Sequence, residues 1–133
     1  MTRASVLARG RVAAEAGMID ACTIVEVTGQ TTDRDTLVAT DVTTPVYTGP
    51  CRVQEIFGFS RETTPSPDTD KLARYRVLQL PVETSEGVRV GQIVTITACV
   101  NDPDLVNVRM IVRDQSGKSE ATARRIGVEE ITG

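Results

Sequence analysis

The stretch VRVGQIVTITACVNDPDLVNVRMIVRDQSGKSEATARRIGVEEI, residues 88–131, decides the fold. Its first part, 88–100, is β-branched throughout, and Gly91 marks a bulge or tight turn before Ile93. Asn101-Asp102-Pro103-Asp104 is a strong turn signal. In 108–114 the period is two: Val108, Met110 and Val112 point inward, while Arg109, Ile111 and Arg113 point outward. Gln115-Ser116-Gly117-Lys118 reads as a hairpin turn, and 120–131 as the returning strand.

Outward from this core the same period recurs. LARYRVLQLPV (72–82) alternates Ala73, Tyr75 and Val77 against Arg74 and Arg76. MIDACTIVEVTG (18–29) sets Ile19, Ala21, Thr23, Val25 and Val27 on one face, with Cys22, Ile24 and Glu26 opposite. CRVQEIF (51–57) is a further strand after the turn Thr48-Gly49-Pro50. Between these runs, 30–49 is rich in Thr and Asp and reads as a long loop with one short strand near Thr36–Ala39. The segment 58–71 is the most polar, and Pro65 and Pro67 predict an exposed loop there.

One helix precedes the strands, predicted over 3–16, with Thr2 as its cap and Gly17 as a left-handed stop. Arg11 and Glu15 are spaced to pair on its surface, and Gly10 lowers its stability. Val6, Leu7, Ala13 and Ala14 lie on one side, Ala8 and Val12 on another. Such a helix either touches its own sheet and a neighbouring subunit, or is a simply packed cap. Five or six short antiparallel strands with turns every 8–12 residues indicate a small barrel or sandwich. The expectation is a mainly β (α+β) single domain over 1–133: a small antiparallel β-barrel of five to six strands, with an N-terminal helix and long polar loops.

Composition narrows the function. The 133 residues carry 15 Lys and Arg against 18 Asp and Glu, a net charge of −3. With only Phe57, Phe59, Tyr47 and Tyr75 as aromatics, the core must come from aliphatic residues. An acidic, aromatic-poor chain is poorly suited to tight nucleic-acid binding. The absence of His rules out Ser–His and Cys–His nucleophile pairs and imidazole metal ligands. No run approaches about 18 apolar residues, and the N-terminus has no signal-peptide core. Cys22, Cys51 and Cys99, each in an apolar strand-like run, read as reduced packed thiols of a protein made inside the cell.

No constellation supports catalysis, a cofactor or a metal. Ser116-Gly117-Lys118-Ser119 has the end of a phosphate-cradling loop, but Val112 stands where that loop needs Gly, and strand–turn–strand replaces strand–helix. Asp33/Asp35, Asp68/Asp70 and Asp102/Asp104 have the Asp-x-Asp spacing of a calcium loop. Leu37, Leu72 and Val106 stand at the fifth positions, so turn formation is their expected role. Glu129 and Glu130 face opposite sides of a strand and cannot act as an acid–base pair. Arg124-Arg125 reads either as a basic contact or as a solvated strand face. Phe57 and Phe59 either anchor the 58–71 loop in the core or stack on a partner.

The order of these signals resembles a known family. It runs from the N-terminal helix through Gly49-Pro50-Cys51-Arg52-Val53, the polar loop, and Leu78-Gln79-Leu80-Pro81-Val82. Val88-Arg89-Val90-Gly91-Gln92, the Asp-Pro turn and Ala121-Thr122-Ala123-Arg124-Arg125 follow. This pattern is similar to the head-to-tail stopper (head completion) proteins of long-tailed phages of actinobacterial hosts, from about Met18 to the end. Gln92 departs from it, standing where an acidic residue is expected. The resemblance implies a small barrel forming a homo-oligomeric ring, hexamer or dodecamer, in the virion neck. Its partners would be an adaptor protein on the portal side, a tail terminator on the tail side, and genomic double-stranded DNA passing without tight binding. It also implies a channel loop that retains the genome, here Arg61, Glu62, Thr63, Thr64, Pro65, Ser66, Pro67, Asp68, Asp70 and Lys71, with 30–49 as the competing segment. Candidate ring contacts are Val6, Leu7, Arg11, Val12, Tyr47, Phe59, Arg124 and Arg125. A tail terminator or other neck ring, or a small intracellular barrel binding peptide or single-stranded nucleic acid, are the alternatives; an enzyme is the reading the residues favour least.

Overall fold

A computed structural model describes residues 2–55, 75–115, 117 and 119–131. Helix α1 spans Arg3–Ala16, as composition and capping predict. The Thr2 side chain accepts from the Ser5 N–H at 3.2 Å and Ser5 Oγ donates back to Thr2 O, a reciprocal cap. Its end differs from expectation. Gly17 is right-handed (φ −84°), and its N–H bonds Ala14 O at 3.1 Å in a tightened last turn. Space does not demand glycine there either, since a Cβ would make only ordinary contacts with Ala14 O at 3.5 Å and Arg52 Nη1 at 3.6 Å.

Six antiparallel strands follow: β1 (Asp20–Thr32), β2 (Ala39–Glu55), β3 (Tyr75–Leu80), β4 (Ile93–Ala98), β5 (Arg109–Gln115) and β6 (Arg124–Glu130). They bond in the order β1-β2-β3-β6-β5-β4, and β4 returns to β1, so the sheet closes on itself and leaves no free edge within the body. The mainly β expectation with one N-terminal helix is met. The segment 88–92 is a turn and not strand: Gly91 (φ +95°) donates to Val112 O, which redirects the chain into β4.

Every strand gives the interior two buried residues on one face, at alternate positions except in β2, where the half-buried Gly49 stands between them. They are Cys22 and Ile24, Tyr47 and Cys51, Leu78 and Leu80, Val94 and Ile96, Met110 and Val112, and Ile126 and Val128. Val88, fully buried, adds a plug from the β3–β4 connection. The inward set expected for 108–114 holds at Met110 and Val112, with Val108 half-buried. In β1 the shorter set, Cys22 and Ile24, faces in, leaving Ile19 and Val27 exposed. At one end Arg76 and Glu130, on the interior face of their strands, pair at 3.1 Å and cover the core. Glu129 takes Arg113 on the other face at 2.8 Å, so the adjacent glutamates do split across the strand.

The largest departure from the sequence reading is in 30–49. Instead of a loop, β1 and β2 pair continuously from Asp20↔Cys51 to Thr32↔Ala39, so only the tip connects them. Pro45, within 30–49, and Pro50, read as part of a turn, sit where β2 is bonded on one side only, because the β2–β3 ladder begins at Arg52. Proline is tolerated at such one-sided positions, where a strand nitrogen can face away from its neighbour. Register shifts between Ile24/Val25 and Val27/Gly29 bend the ribbon as it leaves the body.

Candidate functional site

The pairing of β1 with β4 stops at Val25↔Ile93. Beyond it β1 and β2 continue alone as a two-stranded arm, and every residue from 26 to 45 is exposed on both faces. At about 3.4 Å per residue the arm reaches roughly 20 Å from the body. Local bonds shape it: Gln30 Nε2 donates to Asp41 Oδ1 at 3.0 Å, and Thr28 Oγ1 to Val42 O at 3.2 Å. At the tip Asp33 accepts from the Asp35 N–H at 2.9 Å and its carbonyl from Leu37 N–H at 2.7 Å. The Asp33/Asp35 pair is therefore a turn former, as is Asp102, which accepts from Asp104 N–H. Leu37 is held at φ +59°, a region leucine disfavours, with 78% of its surface exposed and Val38 beside it at 57%. The sequence signal for this arm was the run of Val and Thr at 42–48, a strand composition masked by Pro45 and Gly49.

Helix α1 contains no fully buried residue. Its inner side is the half-buried series Leu7, Gly10, Arg11 and Ala14. Gly10 allows close approach: a Cβ there would meet Thr122 Cγ2 at 2.7 Å. Arg11 does not take Glu15 as spacing suggested. It faces the body, donating from Nε to Ala121 O at 3.1 Å and from Nη1 to Glu83 Oε1 at 3.2 Å. Of the candidate ring contacts, Val6 (54%) and Val12 (67%) are exposed while Leu7 and Arg11 are engaged within the chain. Ala8, Arg9, Val12 and Ala13 line a shallow depression of about 340 Å³ on the outer side.

Two other candidates are internal. Tyr47 is buried, its hydroxyl donates to Pro50 O at 2.5 Å, and burial pushes its pKa up to about 12. It packs in the core because Gly49 leaves room against its ring, where a Cβ would stand 3.0 Å from Oη. Arg124 is a clamp and not a free cation. Its Nε donates to Ser85 Oγ at 2.7 Å and its Nη2 to Val82 O at 3.1 Å, while fully buried Ser85 donates to Pro81 O. Arg125 is exposed. Phe59 and the channel-loop candidates 61–71 lie outside the described residues.

Gln92, the departure from the family pattern, has a use for its amide. Oε1 accepts from Arg89 N–H at 2.9 Å and Nε2 donates to Gly87 O at 3.1 Å. A carboxylate could only accept. All three cysteines are free thiols. Hydrogen bonding to Cys22, then burial, raises the Cys51 pKa far above the ordinary thiol range. Burial, then Asp20, raises that of Cys99. Cys99 borders a cleft of about 500 Å³ with Asp20, Arg52, Asn101, Asp102 and Leu105. Among the described residues no group of three side chains could hold a metal ion, and no helix is long and apolar enough to cross a membrane.

No curated protein and no solved structure matches the chain. Its residues 10–129 match the model of a family of unknown function, DUF6093, which takes in the second half of α1 and the six strands up to Glu129. The chain belongs to that family.

Proposed function

We propose that the protein is a structural component of a phage neck, a head-to-tail stopper whose closed sheet serves as the small barrel of a ring subunit. The observation that carries this reading is the combination of a body filled by aliphatic side chains with a long exposed arm of the same sheet. A ring subunit needs two different surfaces, one that gives and one that receives. The arm and the outer side of α1 are two such surfaces, unlike in shape and charge. An acidic chain also suits a DNA conduit, since it does not grip the passing duplex. The order of strand and turn signals supports the same family. The assignment of a channel loop to 61–71 rests on the resemblance alone, as do the adaptor, the tail terminator and a sixfold or twelvefold ring.

An amber mutation in the gene is the direct test. The stopper reading expects filled heads that fail to join tails and leak their DNA; normal virions would refute it. Immunogold labelling at the tail side of the neck would instead favour a tail terminator. Titration with single-stranded oligonucleotides at low salt is expected to show no appreciable binding, and micromolar affinity would favour a nucleic-acid binding module.

A further inference from the structure

The arm has a counterpart on the same polypeptide. It carries four acidic side chains, Glu26, Asp33, Asp35 and Asp41, against the single Arg34, a net −3. Of the helix α1 cations, Arg3 and Arg11 pair with Glu120 and Glu83 of the same chain at 3.6 and 3.2 Å, and Arg9 is the one that lines the outer depression. At the arm's tip Leu37 and Val38 are apolar and exposed; on the helix, Val6 and Val12 are exposed around the depression lined by Ala8, Arg9, Val12 and Ala13. An isolated two-stranded ribbon is marginal in water, and a leucine at positive φ with most of its surface in solvent adds cost without return inside one chain. Among the described residues, the side-chain hydrogen bonds of the arm stay within the arm.

We infer that the arm of one copy docks on the outer side of α1 of a second copy, with Leu37 and Val38 over Val12 and Ala8 and the tip aspartates facing Arg9. The contact is heterologous: each copy gives an arm and receives one, so it propagates, and closes if the rotation allows. It deepens the ring reading and rests on it for closure alone.

The test uses two surface variants of the full chain, Leu37→Asp and Val12→Asp, followed by sedimentation velocity up to about 1 mM. Both positions are exposed, and unchanged circular dichroism and melting temperature confirm that the fold persists. The wild type is expected to self-associate, and each variant alone to lose at least about tenfold in association. The mixture is the decisive sample. Leu37→Asp keeps its helix face and Val12→Asp keeps its arm, so together they form a dimer that stops at two. In a second pair, Arg9→Glu weakens association and Asp35→Arg in the neighbouring copy restores it. A wild type that stays monomeric throughout, a mixture that forms no dimer, or a benzophenone cross-linker at position 37 captured away from α1 each overturns the contact. None of these results depends on virion location, so an amber mutant with intact necks would remove the stopper reading and leave the arm contact standing.

Discussion

The closed body and the arm are built from the same two strands and differ in what surrounds them. From Ala21 to Val25, β1 is bonded to β2 on one side and β4 on the other, and Cys22 and Ile24 are fully buried. A few residues on, the same strand has one partner and no core, and Val27 is 41% exposed. Backbone pairing is therefore common to both regions, whereas burial is confined to one. Stability belongs to the body, and the arm is left with its surface available to another molecule.

The largest effect that separates the regions is a cavity. Leu78→Ala, in the fully buried set, is expected to cost about 2–5 kcal/mol in urea unfolding, while Leu37→Ala at the arm tip stays within about 0.5 kcal/mol. Equal losses would dissolve the distinction. The boundary is Tyr47, the first buried β2 residue after the arm. Its folded pKa of about 12 lies above the ordinary value of 10.0, so the folded state holds its proton more tightly. That contribution is complete below pH 10 and is lost as pH rises towards 12, with a loss of roughly 2–3 kcal/mol across this window. Tyr47→Phe should flatten that part of the stability–pH curve; an unchanged slope would mean the phenol is solvated.

Next in size is the Arg124 clamp. Arg124→Ala leaves Ser85 Oγ and Val82 O without their guanidinium donor and is expected to cost about 1–3 kcal/mol, with Arg125→Ala near zero. The smallest effect concerns how the helix is seated. Gly10→Ala gains up to about 1 kcal/mol in helix propensity but meets Thr122, so it should destabilise alone and stabilise in a Thr122→Gly background. Additive effects in that double-mutant cycle would show that α1 does not lie against 120–122.

Alternation made the body legible in sequence, because each strand of a closed sheet has one wet and one dry face. Met110 and Val112 followed that rule, and the helix bounds followed from composition and capping. The arm was misread for the same physical reason: with no core on either face, selection for alternation vanishes and only Thr-rich β propensity remains. Arg124 and Tyr47 looked like surface contacts because a clamp into a turn and a phenol bonded to its own strand leave no periodic trace. Gly10, read as a weak point of the helix, is where the helix meets the body. Neither the family match nor the fold assigns a chemistry, and the sequence carries none beyond the resemblance.

A cryo-EM map of the phage neck at side-chain resolution tests the central claim most directly. The account predicts a ring of closed six-stranded bodies in which each arm leaves its own subunit and lies on the next one's N-terminal helix. A neck built wholly from other polypeptides, with this chain nowhere in the particle, would contradict it.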